Sequence, residues 1–444
     1  MKYLFIERTG ENMIKRTKRS KEIIEFLKTN LLINLNILGI IENISDVDIY
    51  VDDEKNPRGV FIKRGYMHYI YSNEDSFIDE VAETFFKEGF FGFAGVEKSI
   101  AEKIKGKFQR HWENPCTLYY LPEENLNLDL IKNEVQSVDI RDAEIVDKYY
   151  EFSHSQSLQA ISRDIKDRPS SAVYVDGEIA SWVLVHEDNS MGIMYTKKEH
   201  RKKGYAVDVS IDLAEKIINS GKIPYLQIIE ENNMSPGLAK KCGFEKCGHV
   251  SWFGIIAGTP KELIEINQKS HEQFLKSIGE GKRFFTNDLK DHGMYSFLNN
   301  LSSDHKEVSG FVLREAKDDK LINIWCDLVI RSHEIPQCDS ERAKKVLFDT
   351  VLNSDLGYKL YIGLLNGKPI STSALLKSNE DEEEAGLYFL STLLEVRNQG
   401  IEAMTVANTM VKGKEEGFAL VVLQSTKECI DTFKNLGFKV SHHS

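Results

Sequence analysis

Two stretches of the chain carry the same pattern about 195 residues apart, and no other feature constrains its fold as strongly. The first is Tyr195-Thr196-Lys197-Lys198-Glu199-His200-Arg201-Lys202-Lys203-Gly204-Tyr205-Ala206, closed downstream by Lys241-Cys242-Gly243-Phe244. The second is Ser391-Thr392-Leu393-Leu394-Glu395-Val396-Arg397-Asn398-Gln399-Gly400-Ile401-Glu402, closed by Asn435-Leu436-Gly437-Phe438. From arginine to closing glycine the spacing is 42 residues in one copy and 40 in the other. Solenoid repeats recur every 20–50 residues or so, so a period this long predicts two related domains in tandem.

Each copy reads with one element order. In the first, Val135–Ile140 and Ser171–Val175 are predicted strands, with helical periodicity between them. Asp176-Gly177 is a two-residue hairpin turn leading into Ile179–His186, and Glu187-Asp188-Asn189 turns the chain into Met191–Tyr195. A helix from Gly204 to Asn219 puts Val207, Ile211, Ala214 and Ile218 on one face. A strand Tyr225–Ile229 and a short helix ending at Gly243 complete the copy. The second copy repeats this with strands Phe311–Arg314 and Lys359–Leu364, turn Asn366-Gly367, then Pro369–Leu376 and Gly386–Ser391. A helix Gly400–Lys414, a strand Ala419–Leu423 and a helix Glu428–Leu436 follow, and the acid run Glu380–Glu384 reads as a solvated loop.

Residues 1–130 lack the arginine–glycine motif but alternate helix and strand: Val60–Ile62, Met67–Ile70, helical Phe77–Lys87, Gly92–Val96, helical Glu97–Trp112 and Thr117–Leu121. Residues 259–310 read as mostly helical, with a capping start at Thr259-Pro260-Lys261-Glu262, and are expected to connect the modules. The domains are therefore 1–130, 131–258, a connector 259–310, and 311–444.

The 444 residues are 41% hydrophobic and 28% charged, with a formal net charge of −12, so a nucleic acid is not the expected partner. Six scattered cysteines without a CxxC pair exclude a disulfide framework or zinc ribbon. Cys242, Cys247 and His249 could be imagined as metal ligands, but small buried residues beside a glycine turn explain them better; no metal is expected. The apolar start Tyr3–Ile6 is too short for a signal peptide, and Phe26–Ile41 is interrupted by Lys28, Asn30, Asn34 and Asn36. The expectation is a cytoplasmic protein without a membrane partner.

The chemistry resides in Arg201-Lys202-Lys203-Gly204-Tyr205-Ala206. Between a strand end and a helix start, free backbone N–H groups and the positive end of the helix dipole converge. Gly204 and Ala206 let a ligand approach the backbone, and Arg201, Lys202 and Lys203 add positive charge. This is an anion seat suited to a pyrophosphate. It is neither a Walker loop nor a GxGxxG fingerprint, so nucleotide hydrolysis and hydride transfer lose ground.

Arg201 to Ala206, with Glu231-Asn232-Asn233-Met234-Ser235 and Lys241-Cys242-Gly243-Phe244, resembles the GNAT superfamily of acyl-CoA-dependent N-acyltransferases. Residues 1–255 resemble its glycine N-acyltransferase-like branch, with a degenerate half before a complete one. The second copy, with Leu423-Gln424-Ser425-Thr426 and Phe433–Phe438, resembles single-domain bacterial acetyltransferases. The resemblance implies an α+β class of tandem GNAT folds, each a mixed, largely antiparallel sheet flanked by helices. It implies that the fourth and fifth strands splay apart, with the pantetheine of acetyl-CoA, or another acyl-CoA, lying between them. Its strand contacts would be the backbones of Met194, Tyr195 and Thr196 in copy one, and of Leu390, Ser391 and Thr392 in copy two. The pyrophosphate would sit on Arg201, Lys202, Lys203, Gly204, Tyr205 and Ala206, or on Arg397 to Glu402 with Gly400, and Asn232 and Ser235 would face the pantetheine.

The implied reaction is direct attack of a small-molecule or peptide amine on the thioester. The tyrosine that the family often places four residues before the closing glycine is replaced by Ala239 and Phe433. His186 and Glu230 are candidate bases from adjacent strands, each with a structural or solvated reading beside it, so no catalytic residue is assigned. Glu402 stands where a small residue should face the phosphates, and Asn398 and Gln399 replace two lysines, so copy one is expected to be the principal site; the plainer reading is that Glu402 caps its helix N-terminus. The competing reading is a catalytically silent CoA-binding sensor or scaffold. A second copy of this chain stays open as a partner, and the acceptor pockets are expected near Tyr149–Arg168 and Leu321–Asp349.

Overall fold

The computed structural model describes residues 14–153, 156–285, 292–298, 308–353, 357–377 and 383–443, and the chain divides into unit one, Met1–Ala257, and unit two, Gly258–Ser444. The class is mixed α/β, with mixed sheets flanked by helices.

Unit one begins with strands β1 (Lys15–Thr17), β2 (Asp48–Val51), β3 (Gly59–Arg64), β4 (Met67–Ser72), β5 (Gly89–Glu97) and β6 (Gln109–Tyr120). It continues with β7 (Ser170–Val175), β8 (Glu178–Val185), β9 (Met191–Thr196), β10 (Tyr225–Ile229) and β11 (Glu245–Ala257). These form an eight-stranded sheet, β1-β2-β3-β4-β5-β11-β6-β10, and a three-stranded antiparallel sheet, β7-β8-β9. The Asp176-Gly177 hairpin forms where predicted, both residues left-handed at φ 52° and 84° as a tight primed turn requires. Phe93 of β5 stacks on Phe253 of β11 at 4.7 Å inside a core of Ile, Val and Phe side chains.

Unit two holds β12 (His292–Phe297), β13 (Phe311–Glu315), β14 (Tyr358–Leu365), β15 (Lys368–Lys377), β16 (Glu384–Thr392), β17 (Leu420–Ser425) and β18 (Lys439–His443). They form one sheet, β13-β14-β15-β16-β17-β12-β18.

Three expectations are corrected. Residues 97–112 are not one helix: the helix is Lys98–Lys105, and the chain then extends into β6, which lies between β10 and β11. Residues 259–310 are not merely a helical connector: after the helix Lys261–Ile278 they supply β12, which lies between β17 and β18. The two insertions are equivalent, so the repeat extends further back than its motif. Val135–Ile140 is not a strand: only Gln136 bridges, to Ala172, and Ile140–Asp142 is a turn of 3-10 helix. The acid residues Glu380, Asp381 and Glu382 lie outside the described residues, and Glu384 opens β16.

The Lys261–Ile278 helix is tied to the sheet by Asn267, whose buried Nδ2 donates to Met294 O at 2.9 Å and Leu423 O at 3.1 Å, bridging β12 and β17. Replacing it with leucine leaves buried acceptors short of a partner, at about 1–3 kcal/mol. Asn267→Leu is expected to lower the urea midpoint of the intact chain; an unchanged midpoint would mean that the bridge contributes nothing.

Candidate functional site

Strand β9 ends at Thr196, and the helix Tyr205–Asn219 starts nine residues later. The loop between them enters the left-handed region at Lys202 (φ 63°) and again at Gly204 (φ 94°). Alternating backbone hands of this kind aim successive N–H groups to one side, as in anion-binding nests. Gly204 is the N-cap and no side chain caps the helix; the first helical bonds, from the N–H of Val207 and Asp208, both end on Gly204 O. The N–H groups of Tyr205 and Ala206 precede those bonds. Lys202, Lys203 and Gly204 are exposed, and Tyr205 and Ala206 half-buried. Asp208, whose charge would oppose an anion, is turned inward and bonded by Lys132 N at 2.8 Å and Asn133 Nδ2 at 2.6 Å.

Arg201 is exposed and tied to the strand it follows. Its Nε donates to Thr196 O at 3.2 Å and its guanidinium lies 5.5 Å from the Tyr195 ring centroid. Arg397 does the same in unit two, with Nε donating to Thr392 O at 3.1 Å and Nη2 to Ser332 O at 2.8 Å. Both arginines fasten the loop to the end of its strand. Asn398 (φ 60°) and Gly400 (φ 81°) reproduce the left-handed pair, again before an uncapped helix, Ile401–Glu415.

The strands beside each loop separate. In unit two, β16 pairs in parallel with β17 only over Glu384–Gly386 and Leu420–Val422, then runs on to Thr392 unpaired with it. In unit one, β9 and β10 belong to different sheets altogether. Both β9 and β16 carry a bulge that no sequence signal announced. Ile193 sits at φ 49° and Phe389 at φ 48°, and the register slips opposite Val183 and Ser373. A non-glycine residue there is strained, and the extra residue of a bulge leaves ladder groups unpaired. Met194 packs toward the Tyr205–Asn219 helix, its Sδ 4.0 Å from Ser210 Oγ, while Ile193 and Tyr195 pack on the opposite face. Leu390 is half-buried, and Ser391 and Thr392 are buried, with Ser391 Oγ 3.5 Å from His333 Nδ1.

Asn232 is exposed; its Oδ1 accepts from Met234 N at 3.1 Å and Ser235 N at 3.0 Å, so that oxygen serves the turn into the helix Ser235–Lys241. Ala239 and Phe433 are both buried core residues. Glu230 lies 3.0 Å from His249 Nδ1 and lines a cavity of about 660 Å³ together with Thr117, Tyr119, Lys240 and Lys246. Burial pushes the Cys242 thiol up to about 11, and Cys247 Sγ faces Leu118 O at 3.6 Å. Among the described residues no three His, Cys, Asp or Glu side chains gather as a metal set, and no helix is long and apolar enough to cross a membrane.

Glu402 is half-buried in the first turn of its helix, and burial raises its carboxyl above the usual range, against the opposing pull of Arg397. The charged form therefore prevails only above the raised pKa, and lowering the pH neutralises it. In a chain whose first seat is disabled by Gly204→Glu, calorimetry is expected to show acetyl-CoA binding to unit two strengthening as pH falls. Glu402→Gly should strengthen it tens-fold at neutral pH, since a carboxylate about 4 Å from a phosphate costs on the order of 1–4 kcal/mol. Equal affinities in the two chains would remove the repulsion argument.

Residues 173–253 match the family described as FR47-like protein. No curated protein matches the chain. Among solved structures, an X-ray structure of a Drosophila protein is 12% identical, with 55% of this chain and 98% of that one covered at a TM-score of 0.47. A GNAT-family acetyltransferase from Colwellia psychrerythraea is 11% identical, covering 55% and 99% at a TM-score of 0.37. A tandem GNAT protein from the clavulanic acid biosynthesis pathway is 10% identical, covering 70% and 96% at a TM-score of 0.28. Likenesses this distant carry no argument about activity.

Proposed function

We propose that the chain is an acyl-CoA-dependent N-acyltransferase of the GNAT superfamily, moving an acetyl or other small acyl group to a primary amine of a small molecule or peptide. The observation that carries this reading is a coincidence found twice: a bulged strand parting from its neighbour and ending in a left-handed loop at an uncapped helix start. The seat fits a diphosphate, the parted strands admit an extended chain along β9, and the bulge at Ile193 offers amide groups where a thioester carbonyl would lie. An N–H aimed at that oxygen stabilises the charge it gains when the amine attacks. Residues Lys202, Lys203, Gly204, Tyr205 and Ala206 would hold the pyrophosphate, and Met194, Tyr195 and Thr196 the pantetheine.

Unit two favours a second, quieter role. There Tyr388 fills the space beside the bulge, stacked at 4.1 Å on Phe274 and within 2.9 Å of Ser270 Oγ, both from the Lys261–Ile278 helix. An acceptor amine would have to displace that helix, so unit two acts as a CoA-binding or structural module while unit one catalyses. Thiol release from acetyl-CoA with spermidine, tyramine, glycine and a lysine peptide tests the reading. Binding of acetyl-CoA without release across the panel would favour the sensor or scaffold.

A further inference from the structure

Strand β9 contains no acidic or basic side chain from Met191 to Thr196, so whatever accepts the amine's proton must be delivered from elsewhere. His186, one residue beyond β8, is delivered to it. A Cβ built on Gly192 would lie 2.2 Å from His186 Nε2, so the imidazole occupies the volume that residue 192 leaves empty. Met191 packs toward the Tyr205–Asn219 helix, so by strand alternation this volume is on the opposite face, which Ile193 and Tyr195 share. It adjoins the left-handed Ile193, and Tyr388 fills the equivalent position in unit two.

The ring is held from behind. His186 Nδ1 lies 3.8 Å from Asp164 Oδ2, with the imidazole side chain 31% and the carboxylate 9% exposed. His186 N donates to Ser190 O at 2.8 Å, and Asn189 N donates to His186 O at 2.9 Å, which fixes the backbone under the ring. Asp164 also pairs with Arg168 Nη1. Resting on the transferase reading above, we propose that His186 is the general base of unit one and that Asp164 is the residue that positions it, with Nδ1 facing the carboxylate and Nε2 facing the bulge.

The step balances without another reagent. The amine nitrogen attacks the thioester carbonyl carbon and the C–N bond forms. One N–H proton passes to His186 Nε2, the C–S bond breaks, and the thiolate takes a proton from solvent. His186⁺ then returns its proton to solvent, giving amide and free CoA thiol. Burial raises the Asp164 carboxyl to about 6, with His186 and Arg168 pulling it down and Glu187 and Asp188 pushing it up. Glu187 is itself paired with Arg64, and Tyr150 also feels the Asp164 charge. An ionised Asp164 stabilises the positive charge that the imidazole gains on taking the amine's proton.

The test uses the intact chain, acetyl-CoA and the amines named above. His186→Gln is expected to lower kcat about 10²–10⁴-fold while acetyl-CoA affinity by calorimetry stays within about twofold. Asp164→Asn is expected to lower kcat less than His186→Gln does, with the KM for the amine staying within about twofold of wild type. As a check independent of side-chain packing, His186→Ala should regain activity when imidazole is added. An active wild type with an unaffected His186→Gln overturns the base assignment alone. A reduced His186→Gln together with an Asp164→Asn chain of unchanged kcat overturns the role of Asp164. A wild type that binds acetyl-CoA but releases no thiol overturns the transferase reading and the base with it.

Discussion

Gly204→Glu is expected to cost unit one more than a hundredfold in acetyl-CoA affinity while the chain stays folded. Two effects combine. Gly204 holds φ 94°, a conformation that costs a residue with a side chain roughly 1–2 kcal/mol. The added carboxylate would then stand at the mouth of the seat, where about 4 Å from a phosphate it costs on the order of 1–4 kcal/mol more. A Cβ at this position meets nothing nearer than Asp208 Oδ2 at 4.0 Å, so the core of the helix is not disturbed. Gly204→Ala separates the two, because it carries the backbone strain alone and should lose about tenfold. Calorimetry on both variants, with thermal melts as the control for folding, measures the difference. Retained affinity in Gly204→Glu would remove the seat from unit one.

Gly192→Ala should lower turnover about a hundredfold and leave cofactor affinity nearly intact. The new methyl group would stand 2.2 Å from His186 Nε2, and the imidazole tip is the part able to give way. Rotation of the ring takes Nε2 from the bulge and lengthens its approach to Asp164, so base function is lost by displacement rather than by deletion. Stability should change by under about 1 kcal/mol, because the imidazole is partly exposed and gives up few buried contacts. A variant with unchanged kcat would show that the space beside Gly192 is not where the proton moves.

The parts of the fold that were legible share a local cause. Asp176-Gly177 and Asn366-Gly367 both turn with left-handed backbones, and the loops ending at Gly204 and Gly400 both enter their helices through a left-handed glycine. In each case two or three neighbouring residues set the allowed dihedral angles, so the signal is contained in the residues themselves. The illegible parts depend on distant partners. His292–Phe297 falls in a stretch that reads as mostly helical, yet it becomes a strand because β17 and β18 each offer it an edge. Gln109–Asn114 likewise leaves the helical pattern of Lys98–Lys105 because β11 pairs with it along nearly its whole length.

By itself the sequence determined that there are two copies, where their hairpins turn, and where a left-handed glycine leads into each helix, since these follow from glycine and asparagine placement over short spans. Only the tertiary structure decided that Ile193 and Phe389 bulge and that Asp164 stands behind His186. Those outcomes arise from strand pairing and packing between residues far apart in the chain, and no short stretch of sequence contains the competition that settles them.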